Sequence, residues 1–262
     1  MGHITQRDSP MATPLSDPVA TQRLALIDLA RGIALIAMTV FHFCWDLEMF
    51  GLVRPGFMAQ PEAIWTVRII AGSFLFLVGF SLYLAHGKQL RMRPFLKRLA
   101  MVGGAAAIIS IATWFFTPDA FIFFGILHCI AVSSVIALAF LRAPWWLTGL
   151  AGLFIVTMRS SLQTPALDAA WWWWSGLSQV IPRSNDYVPL FPFLGMVLIG
   201  VAAAKLAQSS GFTATLAKPQ LQIAPARLLR FLGRNSLVYY LLHQPVMIAL
   251  LYAVLKISGR IL

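Results

Sequence analysis

Charge is scarce in this chain. Only 11% of its 262 residues are charged, against 59% hydrophobic. A soluble domain of this length needs a far more polar surface, so that class is excluded. Acidic residues are the rarest, 9 against 20 Lys+Arg. In a soluble protein such an excess would suggest nucleic acid. Here the basic residues cluster in loops between apolar runs, where they set topology and meet anionic lipid. Cysteine is nearly absent. Cys44 and Cys129 both lie inside apolar runs and give no sign of a disulfide framework. There is no P-loop, GxGxxG, GxSxG, CxxC or HExxH. His42 and Cys44 lie about 200° apart on a helix, and His128 and Cys129 about 100°, so neither pair chelates and no metal is expected. Residues 1–22 are polar, rich in Pro, Ser and Thr, and without the apolar core of a signal peptide. They read as a disordered cytoplasmic tail.

What is present is helical apolar sequence. A helix needs about 20 apolar residues to cross a bilayer. Seven runs qualify or nearly do: 24–46, 64–86, 95–116, 121–141, 143–158, 189–208 and 236–257. The fifth is short and either tilts, stops partway or extends into 159–163. The expected fold is an all-α polytopic bundle of about seven transmembrane helices, one domain over 23–262, with no internal repeat. Lys88, Arg91, Arg93, Lys97 and Arg98 fall between spans two and three, and Arg142 follows span four. Lys205, Lys218, Arg227, Arg230 and Arg234 are grouped with the connection between spans six and seven. The positive-inside rule then places the N-terminus in the cytoplasm and the C-terminus outside. Residues 219–234, with Leu228, Leu229 and Phe231 among arginines, suit a helix at the inner membrane surface. The run Trp171–Trp174 falls in the longest outer loop, as an aromatic anchor or as a platform for a sugar.

The first span, "LIDLARGIALIAMTVFHFCWDL", carries Asp28, Arg31, His42 and Asp46. At about 100° per residue, Arg31 lies about 300° round from Asp28, His42 about −40°, and Asp46 back at about 0°. The four share one stripe, with Leu35 and Met38 between them. Charges in lipid are costly, so the stripe faces the bundle interior or water. Asp28 and Arg31, at i and i+3, are placed to pair. His42 lies about 16 Å along the axis from Arg31, toward the outside. Two further membrane histidines follow, His128 in span four and His243 in span seven. Pro245, just after His243, removes a backbone donor and should kink its helix.

These segments resemble a known family. "IDLARGIALIAMTVFHFCWDL" is similar to the first-helix signature of bacterial relatives of heparan-α-glucosaminide N-acetyltransferase, within the wider transmembrane acyltransferases that modify glycans. "AGSFLFLVGFSLYL" (71–84), "FGILHCIA" (124–131), "DYVPLFPFLGMVLIG" (186–200) and "GRNSLVYYLLHQPV" (233–246) resemble later motifs in the same order. The resemblance implies an acyl group, acetyl or another, taken from cytoplasmic acyl-CoA. It passes to a glycan or glycolipid hydroxyl or amine at the outer side of a bacterial inner membrane. It implies that His42 is the catalytic group and that Arg31 is functionally important. A thioester is already activated, so the chain needs only a base near neutral pH or a nucleophile that carries the acyl group; His42 can be either. Asp46 is placed to orient the ring or bind sugar. Arg31, with Arg98, Arg230 and Arg234 as looser candidates, would meet the CoA phosphates. Asp28, His128, Asn235, Ser236 and His243 complete the candidate substrate-binding set. The expected partners are membrane lipids and the acceptor, without nucleic acid and with a homodimer admitted.

A transporter or channel is the rival class, because charged stripes and Pro-broken helices also mark substrate paths. The missing repeat and the lack of paired broken helices count against it. A retinal protein with Lys256 as Schiff base is weaker still. The topology is directly testable: cysteines placed at Gln89 and Thr164 should be labelled by an impermeant maleimide from opposite sides of the membrane. Labelling from one side would overturn the seven-span arrangement.

Overall fold

The computed structural model describes residues 25–212 and 223–260, so the tail at 1–22 lies outside the described residues. Eight α-helices occur among them: α1 (Ala25–Met49), α2 (Pro61–His86), α3 (Met92–Phe116), α4 (Ile126–Leu138), α5 (Trp145–Leu162), α6 (Leu190–Ser209), α7 (Ala224–Arg234) and α8 (Ser236–Ile257). No strand interrupts them among the described residues. The all-α polytopic bundle is the fold the apolar runs require. Five helices, α1, α2, α3, α6 and α8, are long and apolar enough to cross a membrane. Of the other two expected spans, α5 continues to Leu162, as its sequence allowed. The fourth is shortened to the 13 residues of α4.

The bundle is organised around α6. Val197, Leu198 and Val201 are fully buried there, and Leu75 of α2 is buried with them. Helices in lipid gain little from hydrophobic burial against each other, so close backbone approach through small residues matters more. A Cβ on Gly79 would run into the carbonyl of Val197, and one on Gly200 into that of Phe76. The same glycine contact brings α5 and α6 together, where Gly152 and Gly195 face each other's carbonyls. The α1–α7 contact repeats the device. Gly32 has no room for a Cβ beside the Leu229 carbonyl, nor Gly233 beside that of Asp28. Pairing 28 with 233 and 32 with 229 sets α7 antiparallel to the start of α1. The chain turns at Asn235, and α8 then runs parallel to α1.

The shortness of α4 has a physical cause. Residues 121–125 are not helical; they lie beside 185–188, with Val188 N–H donating to the Phe124 carbonyl at 3.2 Å and Asn185 N–H to that of Ala120 at 2.9 Å. The Asp186 carboxylate accepts from Ile126 N–H at 2.9 Å, capping the first turn. At the other end Lys205 donates to the carbonyls of Phe140 and Ala143, each at 2.6 Å, and to Thr148 Oγ1 at 3.0 Å. A carboxylate at the N-terminus and an ammonium beyond the C-terminus complement the helix dipole. Lys205, grouped with the loop cations by its sequence neighbourhood, is therefore buried inside α6 and serves the end of α4.

The long loop after α5 is folded. Trp171–Trp174 lie in a 3₁₀ helix (Ala170–Ser175). Trp173 Nε1–H donates to the Asp168 carbonyl at 3.0 Å, and Trp174 packs on Phe124. Trp171 stands outward, 74% exposed. The Ser178 hydroxyl and the Gln179 N–H hold the Asp168 carboxylate below its ordinary range. That clamp is present at neutral pH and weakens only as pH falls through the lowered value.

Candidate active site

Two polar clusters lie on the stripe of α1. The first surrounds Asp28, whose side chain is buried. Arg31 Nη1–H donates to its Oδ1 at 3.3 Å, and Arg234 Nε–H to its Oδ2 at 3.2 Å. Arg31 also donates through Nη2 to Ser81 Oγ of α2 at 2.5 Å. The expected Asp28–Arg31 pair is present, and Arg234 from the end of α7 joins it. The two arginines differ: Arg31 spends both terminal nitrogens on Asp28 and Ser81, while the Arg234 side chain is 51% exposed. An apolar groove of about 550 Å³, lined in part by Ile27, Ala30 and Phe80, adjoins in sequence the residues of this cluster.

The second cluster lies about 21 Å further along α1, past the buried Leu35 and Met38. Here α1 meets α8. Thr39 Oγ1 lies 2.7 Å from the Tyr239 hydroxyl. The threonine gives its own proton to the Leu35 carbonyl at 2.8 Å, so the tyrosine donates in that pair. One turn on, the rings of His42 and His243 stand 5.1 Å apart. One more turn on, Gln244 Nε2–H donates to Asp46 Oδ1 at 2.5 Å. Asp46 is 0% exposed. His243 is held on its other sides by Tyr239, stacked at 6.1 Å and 7°, and by the Tyr240 ring at 5.6 Å. The Tyr240 hydroxyl in turn donates to Asp186 Oδ2 at 3.0 Å, tying α8 to the cap of α4.

Of the sequence candidates, the structure gathers His42, Asp46 and His243 into one seam, and Asp28, Arg31 and Arg234 into another cluster. His128 joins neither. Its Nδ1 accepts from Gly125 N–H at 3.2 Å and its Nε2 lies 3.2 Å from Ser110 Oγ. Ser110 gives its proton to the Ile122 carbonyl, so His128 donates through Nε2. Both ring nitrogens are thus committed to holding the 121–128 turn. Asn235 is exposed and donates to the Phe231 carbonyl at 2.9 Å, at the α7–α8 corner beside Ser236. Arg98 stands apart on α3, beside a cavity of about 10 Å³ that has room for one water. Arg230 lies on α7, a turn before Arg234. Sequence reasoning missed Ser81, Tyr239, Tyr240, Asp186 and Gln244. All five stand inside the quoted motifs, but nothing in the sequence alone showed which partner each would meet. Among the described residues, no group of three or more His, Cys, Asp or Glu is placed to hold a metal.

A membrane helix bundle with a buried carboxylate and two facing histidines between its first and last described helices defines a class: a multi-pass membrane protein with a polar cluster inside its bundle. The family model for "Heparan-alpha-glucosaminide N-acetyltransferase, catalytic" matches residues 23–245, and the chain belongs to that family of membrane acetyltransferases. The match takes in both clusters. No curated protein and no solved structure matched the chain.

The Asp28 cluster makes a stability prediction. Asp28→Asn keeps the shape but removes the charge that gathers two arginines. Breaking a buried pair costs about 3–5 kcal/mol. Thermal unfolding in detergent should show a clear loss of stability for Asp28→Asn, partly recovered in Asp28→Asn/Arg31→Gln. An unchanged midpoint for Asp28→Asn would show that this cluster does not hold α1, α2 and α7 together.

Proposed function

We propose that the protein transfers an acyl group, acetyl in the simplest case, from cytoplasmic acyl-CoA to a hydroxyl or amine of a glycan or glycolipid at the outer side of a bacterial inner membrane. The observation that carries this reading is the catalytic-family match over a stretch that contains every residue of the α1–α8 seam. His42 is the catalytic group in this reading, as base or as acyl carrier, with Asp46 beside it. A thioester needs no further activation, so a seam of imidazoles and a carboxylate is sufficient chemistry.

The inner cluster is the donor end. Arg31 is engaged by Asp28 and Ser81, so its task is to fix the geometry of the other groups. Arg234, held to Asp28 through Nε and half exposed, is the better placed of the two to meet CoA phosphates. Arg98 and Arg230 remain secondary phosphate contacts, and Asn235 and Ser236 line the approach at the α7–α8 corner. His128, committed at both nitrogens, supports the backbone of the turn.

Purified protein should release thiol from acetyl-CoA when supplied with amino sugars or envelope glycans. General-base catalysis is worth roughly 10²–10⁴-fold. His42→Ala should therefore lose at least about two orders of magnitude in acceptor-dependent thiol release while remaining folded. Full transfer by His42→Ala would show that His42 is not the catalytic group; no thiol release by the wild type with any acceptor would favour the transporter reading, in which the same stripe is a substrate path.

A further inference from the structure

Among the described residues, three buried side-chain atoms lack any hydrogen-bond partner: Asp46 Oδ2, His243 Nε2 and Gln244 Oε1. All three belong to the α1–α8 seam. Their chemistry is uniform. The Gln244 amide gives one N–H to Asp46 and leaves its carbonyl oxygen as an unpaired acceptor. The second carboxylate oxygen of Asp46 is an acceptor. His243 Nδ1 lies 2.7 Å from the Tyr240 carbonyl, which only accepts, so Nδ1 carries the ring hydrogen. In the neutral ring Nε2 is then a bare lone pair. Stacking on Tyr239 and contact with Tyr240 fix that ring's orientation. The seam therefore presents three unfilled acceptors and no unfilled donor among these atoms. Leaving buried polar atoms unpaired is costly, and their concentration in one place marks a site that awaits a ligand.

We infer that this seam is the subsite for the acyl acceptor, that it selects a ligand rich in O–H or N–H donors, and that His243 Nε2 is the atom that takes the acceptor's proton. This rests on the acyl-transfer reading above and divides the work between the two histidines. The acceptor's O–H or N–H bond breaks as its heteroatom attacks the thioester carbonyl. The proton passes to His243 Nε2, the C–S bond breaks, and the CoA thiolate recovers that proton as free thiol. The charge that forms on the His243 ring is steadied at Nδ1 by the Tyr240 carbonyl. His42, 5.1 Å away between ring centres, is left to orient the thioester that the acceptor attacks. Asp46 Oδ2 and Gln244 Oε1 hold neighbouring donors of the acceptor and so set its register.

Two measurements test this. Nitrogen-15 NMR of histidine-labelled protein in detergent should show His243 as the Nδ1–H tautomer, with Nε2 unprotonated. An Nε2–H tautomer would overturn the assignment whatever the reaction. The second is transfer from acetyl-CoA to methyl glucosaminide. His243→Asn keeps a donor for the Tyr240 carbonyl and deletes only the Nε2 side of the ring. It should lose roughly 10²–10⁴-fold in kcat with little change in acceptor KM. Asp46→Asn puts a donor in reach of the acceptor's donors and should raise acceptor KM roughly tenfold or more. Wild-type transfer with a near-normal His243→Asn would overturn the inference and leave the acyl-transfer reading intact. A wild type that releases no thiol with any sugar acceptor would sink the reading itself and the proton step with it.

Discussion

The buried carboxylate of Asp28 is the tie on which the arrangement depends. An uncompensated charge in an apolar helix is intolerable, so Asp28 must be met by cations from its own and other elements. Arg31 meets it from the next turn and reaches across to Ser81 of α2. Arg234 meets it from the end of α7. Those bonds, with the Gly32 and Gly233 contacts, fix where α7 ends and hence where α8 begins. Starting α8 there sets its register against α1. Tyr239, His243 and Gln244 then fall opposite Thr39, His42 and Asp46. The Asp28 ion pairs thus decide, over a distance of about 21 Å, which side chains form the α1–α8 seam.

The proposed site therefore has two ends on one helix. The Asp28 end is cationic and partly exposed at Arg234. The His42 end is rich in acceptors and framed by aromatic rings. The proposed donor and acceptor differ in the same sense: one carries phosphates, the other hydroxyls or amines. A single transmembrane helix, α1, holds both ends in fixed relation, with Leu35 and Met38 packed between them.

Much of this was legible in the sequence. The stripe on α1 followed from helical periodicity, and Asp28, Leu35, Met38 and Asp46 are indeed its buried members. The five longest apolar helices followed from length and hydropathy. What periodicity could not reveal were partners supplied from distant chain positions. The fourth apolar run looked like a full span, yet it is helical only between a cap from Asp186 and a cap from Lys205. Both are about 60 residues away in sequence. Lys205 looked like a loop cation because it lies near the end of its apolar run, just before Gln208, Ser209 and Ser210. His128 looked like His42 in composition, but Ser110 and the Gly125 backbone claim both of its nitrogens. Gln244 carried no signal of its own until α8 was seen beside Asp46.

The central claim is that acyl transfer occurs at the seam of α1 and α8, served from the inner arginine cluster. The most direct measurement is an experimental structure with an acetyl-CoA analogue whose thioester sulfur is replaced by a methylene. The account predicts its phosphates at Arg234 and its acyl carbonyl within hydrogen-bond reach of His42 or His243. An analogue bound with its acyl end away from that seam, for instance beside Arg98 between α2, α3 and α4, would contradict it.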